Sequence, residues 1–348
     1  MAVLGLGGTI ASSAGTRDSW LDYGAPGYHI ADIVGYLEPE LAPVVTITSD
    51  QVLAAGSSTL SIADLALVSG AVRAALETAD AVVVASGSDA LEEVAYWLDL
   101  TVPADRPVVV TGSMRPFALH RTGEPREQLH LVHGTDGPAN LFSAIKLAAS
   151  GETAGLGCVV VFGDRIHAAR DVVKRHATLP DPFESPGAGP LGYMLGGEPV
   201  LHRTVLRPPV ADPRTPMFDL ADRDPDKPFP RVEIVLAYPG GGGESVEAFE
   251  AAGVRGIAIE CMGSGAVHEA LATTAEAAEA RDMVFVCTTR TGSGSVTAPD
   301  AWGVTAGDLG STKARLLTIL LLDAVDSADE VARRLPKIAM PSLFRAGS

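Results

Sequence analysis

The chain has 348 residues, 47% of them hydrophobic, and a mean hydropathy of +0.22. That is enough for two domains, each with a core, and it excludes disorder over most of the length. With 26 Lys and Arg against 43 Asp and Glu the formal charge is -17, which argues against a nucleic-acid backbone or an anionic membrane as partner. The three Cys, Cys158, Cys261 and Cys287, lie in or beside apolar strand-like runs. They read as buried thiols and not as a disulfide scaffold or a metal site. The start, MAVLGLGGTI, has no basic leader region and enters a strand directly. The expected compartment is the cytoplasm, or a secreted or periplasmic one if a leader has been removed.

Apolar runs alternate with helical patterns along the chain. Val3–Leu6 reads as a strand, and the segment 62–76 as a helix capped by Ser61. Ala81–Ala85 is a second strand and Ala90–Asp99 a second helix, with Ser88 as its expected cap. A strand follows at 108–111, then a helix within 136–150 with Pro138 near its first turn, then a strand at Gly157–Phe162. Strands spaced by helices in this way predict a largely parallel α/β sheet with helices on both faces. The segment 207–230 holds seven Pro and many charges and reads as a linker. Beyond it, strands at Val232–Ala237, Gly256–Ile259 and Met283–Cys287 and helices near 266–281 and 311–325 predict a smaller α/β unit. The expected division is 1–206, a linker at 207–230, and 231–348. The run GGGG at 240–243 marks a mobile turn and lacks the Lys-Ser/Thr ending of a phosphate loop. The glycines of GLGGTI do not match G-x-G-x-x-G, so no cofactor is expected, and the histidines suggest no metal site.

Open α/β sheets bind ligands at the carboxyl ends of their strands. Two turns there carry hydroxyls beside glycine: Gly7-Gly8-Thr9-Ile10 and Ser86-Gly87-Ser88-Asp89. Ordinary helix capping explains either one alone. Together they suit a hydrolase in which one hydroxyl attacks and nearby N–H groups receive the oxyanion. The available proton acceptors are Tyr23, in the Gly- and Pro-containing SWLDYGAPG, and Lys174, in DRIHAARDVVKRHA, with Asp89 to orient the lysine.

With these residues in view, the chain resembles the bacterial-type L-asparaginase (asparaginase/glutaminase) family. GGTIAS (7–12) is similar to the first family signature and SGSDALEEVAYWLDLT (86–101) to the second. PVVVTGSMRP (107–116), DGPANLFSAI (136–145), RDVVK (170–174) and GPLGY (189–193) follow in family order. The resemblance implies a two-domain fold, with a larger mostly parallel N-terminal sheet flanked by helices and a smaller α/β C-terminal domain. It implies hydrolysis of L-asparagine to L-aspartate and ammonia through an acyl-enzyme on Thr9, without cofactor. Tyr23 is then the flap partner of Thr9, while Ser88, Asp89 and Lys174 form a second catalytic group. Asp89 would also hold the substrate ammonium and Ser57 its carboxylate. Gly8, Gly56, Ser58, Gly87, Ser113 and Met114 would complete the substrate site. A small amide substrate and a homodimer, or a tetramer of dimers, with sites near an intimate interface are the implied partners.

The pattern also departs from the family. Ser86 stands where His is usual, Ser58 where Gln is common, and Ala90 in place of Thr. Ser264 and Ala266 replace Asn, and TRTGSGSVTAPD (289–300) lacks a family Glu. The segment 117–135, with His120, His130, His133, Arg121, Arg126 and Glu127, is longer than the family loop. A glutamine-like, larger or N-substituted amide is therefore the alternative substrate, and an inactive binding protein on this fold the alternative of another class.

Overall fold

The computed structural model describes residues 1–119, 129–208, 212–299, 301–325 and 327–340. The chain forms two compact units, one built from Met1–Val205 with a returning segment that ends at Asp222, the other taking the chain from Arg223 onward. The chain crosses between them inside the Pro-rich stretch.

In the first unit the order is β1 (Ala2–Gly7), β2 (Ser12–Ala14), β3 (Tyr23–Pro26), α1 (Ile30–Leu41), β4 (Thr48–Ala55), α2 (Ile62–Leu76), β5 (Val82–Ala85) and α3 (Leu91–Thr101). Then come β6 (Val108–Thr111), β7 (Ala118–Leu119), α4 (Gly137–Ser150), β8 (Cys158–Phe162), β9 (Arg165–Ala168), β10 (Val173–Lys174), β11 (Phe183–Glu184), β12 (Gly192–Leu195) and β13 (Glu198–Leu201). Eight strands make one sheet in the order β13-β12-β9-β8-β6-β5-β1-β4. The pairs from β8 to β4 are parallel. From β8 to β13 the pairing turns antiparallel, so the sheet is mostly parallel, as expected.

The central strands β5, β6 and β8 are buried at every residue, as a sheet covered on both faces requires. Alternation sends Val3, Val83, Val109 and Val159 to the face covered by α1 and α4. Helices α2 and α3 pack on the other side. Helix α2 starts at Ser61, whose Oγ accepts from the Asp64 amide at 3.2 Å while Asp64 accepts from the Ser61 amide at 2.8 Å. This reciprocal cap is what the sequence pattern at 61 predicts. Helix α1 has its apolar stripe at Ile30, Ile33, Leu37 and Leu41, which Gly35 and Pro39 disguise in the sequence.

The second unit holds β14 (Val232–Leu236), α5 (Glu244–Ala251), β15 (Gly256–Cys261), α6 (Glu269–Glu279), β16 (Val284–Thr289), β17 (Val304–Thr305), α7 (Ser311–Ala324) and α8 (Ala328–Ala339). Its four strands are parallel in the order β14-β15-β16-β17. Helices α5 and α6 cover the face carrying Val235, Ile257, Ile259 and Phe285, and α7 runs against β14, β15 and β16. The glycine run at 240–243 is less free than its composition suggests. Gly243 is the N-cap of α5 and lies against Thr274, where any side chain would collide. All three cysteines are buried free thiols. Among the described residues no helix is long and apolar enough to cross a membrane.

Candidate active site

Three turns converge at the carboxyl ends of β1, β4 and β5. Gly8 follows β1 with φ 79 and ψ -172, a backbone region that is essentially glycine's alone. A Cβ at Gly8 would run into the backbone N and Cα of Gly87. A Cβ at Gly87 would lie 2.5 Å from the Oγ of Ser57. The glycines are thus needed because two main chains meet a third turn with no room for side chains. Gly8→Ala is expected to lower stability by roughly 2–4 kcal/mol and to abolish turnover, read by thermal denaturation alongside an activity assay.

Thr9 opens a short 3-10 turn and is half-buried. Its Oγ1 lies 3.0 Å from the Tyr23 hydroxyl. Tyr23 arrives on β3, which pairs antiparallel with β2 through Ser12–Pro26 and Ala14–Tyr23. β2 in turn pairs with β7, so β3-β2-β7 form a small separate sheet that carries the flap.

The second group gathers around Lys174. Its Nζ donates to Ser88 Oγ at 2.8 Å and to Asp89 Oδ1 at 2.6 Å. Ser88 is buried and the Lys174 side chain is 15% exposed, whereas that of Asp89 is 68% exposed. One end of the group faces solvent, where a ligand has access. Lys174 sits on the two-stranded ribbon β10-β11. The buried Glu92 of α3 accepts from the Lys174 amide at 2.7 Å and fixes that ribbon to the helix.

Ser88 does not cap the helix that follows it. Helix α3 begins at Leu91 with Ala90 as N-cap and no side-chain cap bond. Ser57, from another turn, serves instead: its Oγ accepts from the amides of Asp89 at 3.2 Å and Ala90 at 3.4 Å. Ser88 lies two residues before the N-cap position, and its hydroxyl accepts from Lys174 instead. A hydroxyl that accepts from two amides keeps its own proton to donate, so Ser57 offers a donor at a helix N-terminus, a favourable place for a carboxylate.

The remaining candidates divide. Gly56 and Ser58 flank Ser57, and Ser58 is exposed. Ser86 is fully buried and its hydroxyl bonds within its own turn, to Gly87 O at 3.3 Å. Ser113 and Met114 are buried, with Ser113 Oγ donating to Arg115 O at 2.8 Å and the Met114 amide donating to Asp136 at 2.8 Å. His130 and His133 lie beside β7 and the flap, while His120, Arg121, Arg126 and Glu127 fall outside the described residues. Ser264 and Ala266 sit in the turn after β15 of the second unit. Among the described residues no group of three or more His, Cys, Asp or Glu is arranged to hold a metal.

Two supporting residues have only a weak signal in sequence. Glu92 looks like an ordinary acidic first-turn residue. Asp136 looks like a helix cap, yet its carboxylate accepts from the amides of Met114 at 2.8 Å and Arg115 at 2.9 Å. Burial pushes the Asp136 carboxyl above the usual carboxylate range, against the lowering effect of those two amides.

Comparison with known proteins agrees with this architecture. Residues 1–207 match the family model described as asparaginase, N-terminal, and residues 231–335 match the glutaminase/asparaginase C-terminal domain. The chain is 30% identical to L-asparaginase 2 of Bacillus subtilis over 335 residues, covering 94% of this chain and 84% of that protein. It is 30% identical to the probable periplasmic L-asparaginase of Haemophilus influenzae, covering 92% and 88%. The crystal structure of the probable cytoplasmic L-asparaginase from Campylobacter jejuni superposes with a TM-score of 0.85 at 28% identity, covering 96% of this chain and 98% of that one. The match of both family models, over a fold with the corresponding two units, makes this chain a member of the asparaginase family of amidohydrolases.

Proposed function

We propose that Thr9 attacks the side-chain amide of L-asparagine, giving an aspartyl ester and ammonia, and that water then releases L-aspartate. The carrying observation is that the Thr9–Tyr23 pair and the Ser88–Lys174–Asp89 group lie on turns whose backbones touch, at Gly8 and Gly87. In the first step the bond from Thr9 Oγ1 to the amide carbon forms as the hydroxyl proton passes to Tyr23. Tyr23 hands its own proton to the amide nitrogen, and the C–N bond breaks with ammonia leaving. In the second step water attacks the ester carbon. Its proton travels through Ser88 to a neutral Lys174 nitrogen and is given back to the Thr9 oxygen as the ester C–O bond breaks, so that L-aspartic acid is released and Thr9 and Lys174 end as they began. The exposed Asp89 carboxylate suits the substrate ammonium, and the Ser57 hydroxyl suits its carboxylate.

A panel of asparagine, glutamine and N-substituted asparagines tests the reading on wild type and Thr9→Ala. Turnover of asparagine that depends on Thr9 supports it. Failure on every amide would favour a binding protein on this fold. The second substrate reading, a longer or N-substituted amide, is favoured by one observation. Ser58 and Ala90 give the head-group region short side chains, and the Ser86 hydroxyl is spent within its own turn. Faster turnover of a substituted amide than of asparagine would select that reading.

The proposed assembly is a homodimer, or a tetramer of dimers, with sites near an intimate interface. Light scattering after size exclusion should give at least twice the monomer mass of 35.9 kDa; a fully active monomer would overturn it. The cytoplasm is the proposed compartment, supported by the three free thiols, and fractionation of the native host tests it.

A further inference from the structure

The flap that carries Tyr23 is tied down at its base by the segment that follows β7. Arg17 Nε donates to Leu131 O at 2.9 Å, and the His133 amide donates back to Arg17 O at 2.8 Å. Trp20 Nε1 donates to His133 O at 3.1 Å. The Arg115 guanidinium lies over the Trp20 ring, 4.3 Å from its centroid, and its Nη1 donates to Gly134 O at 2.8 Å. Gly134 has φ +65, a left-handed conformation that favours glycine, and the Arg115 guanidinium packs directly against it. Arg115 itself is anchored through its amide, which Asp136 accepts at 2.9 Å. At the other end of the flap, the Tyr28 hydroxyl donates to Leu119 O at 2.8 Å.

These contacts link the flap at Arg17, Trp20 and Tyr28, on both sides of Tyr23. Trp20 is 45% exposed, so burial alone does not fix the indole. What holds it is a cation over one face and an acceptor at its N–H.

We propose that residues 129–135 and Arg115 form a brace that holds the flap closed in the absence of substrate, with Trp20 as the positioning residue that keeps the Tyr23 hydroxyl on Thr9. This rests on the proposed amide hydrolysis for its consequence in turnover, but not for its structural content. A braced flap is already in the binding-competent state. Loosening it lowers the competent fraction, which raises the apparent KM in inverse proportion and leaves kcat largely unchanged where substrate still closes the flap.

Hydrogen exchange of the substrate-free protein reads the brace directly. Peptides covering 12–26 should be protected in wild type. In Trp20→Ala and in Arg115→Met they should exchange at least about tenfold faster, with α2 unchanged. Trp20→Phe keeps the ring beneath Arg115 and should restore part of the protection. In turnover, Trp20→Ala should raise KM by about three- to tenfold with kcat within about twofold. Trypsin offers a second readout, because Arg17 should be cleaved faster in both variants. Unprotected 12–26 in wild type, or protection unaltered in both variants, overturns the brace. Faster exchange in an enzyme that turns over no amide supports the brace and overturns the hydrolase reading alone. Unaltered exchange with normal asparagine turnover does the reverse.

Discussion

Thr9→Ala is expected to lower kcat for asparagine by at least about a thousandfold while leaving the fold intact. The methyl and hydroxyl it removes lie in a half-buried turn, not in the core, so the change in stability should stay within about 1 kcal/mol. The activity loss is large because no neighbouring hydroxyl can take over at the same carbon. Tyr23 lies 3.0 Å from Thr9 and shares its proton, and Ser88 is committed to Lys174. Acid quench of wild type during turnover should trap an ester on the peptide holding Thr9, seen by mass spectrometry and missing in the variant. Unchanged turnover in Thr9→Ala would remove Thr9 as nucleophile.

Lys174→Met should cost about a hundred- to ten-thousandfold in kcat, the range set by loss of one positioned proton acceptor. Methionine preserves the length of the stem and removes both the contact to Ser88 at 2.8 Å and that to Asp89 at 2.6 Å. Lys174→Arg separates two roles. A guanidinium keeps the positive charge but cannot act as a neutral acceptor. If Nζ takes the proton from Ser88, arginine should be nearly as inactive as methionine. Substantial activity in Lys174→Arg would show that a fixed cation suffices. Ser88→Ala combined with Lys174→Met should be little worse than the poorer single variant, since the two act as one unit. Additive losses would separate them.

Much of the fold was legible because its strands are apolar on both faces and its helices carry their signals in order. Ser61 with Asp64 marks the start of α2, and the strand at 108–111 falls where the apolar run ends. The polar edge strand β4 was not legible, since it has little burial to betray it. In α1, Gly35 and Pro39 interrupt the local signal although its buried stripe is regular. The chemistry-bearing residue types around Thr9 and Ser88 could be picked out from hydroxyls beside glycine after strands. Their supports could not. That Ser57 caps α3 in place of Ser88, or that Glu92 holds the amide of Lys174, depends on contacts between segments 32 and 82 residues apart. Nothing in the local pattern around 88–92 distinguishes these arrangements from an ordinary helix start.

The ribbon that delivers Lys174 has a consequence for how the protein acquires activity. Thr9 and Tyr23 are separated by 14 residues, whereas Ser88 and Lys174 are separated by 86. The first pair closes a short loop, although the flap that carries Tyr23 is itself held by the Arg17–Leu131 and Trp20–His133 contacts, which span 114 and 113 residues; the second pair closes a longer loop over β6, α4, β8 and β9. Closing the longer loop carries the greater entropic cost, and it is recovered only when β10 docks on Glu92. Both halves of the site therefore depend on long-range closure, and neither is complete until its distant support is in place. Turnover is therefore expected to return in refolding no earlier than native tertiary structure, which parallel traces of activity and near-ultraviolet circular dichroism would check.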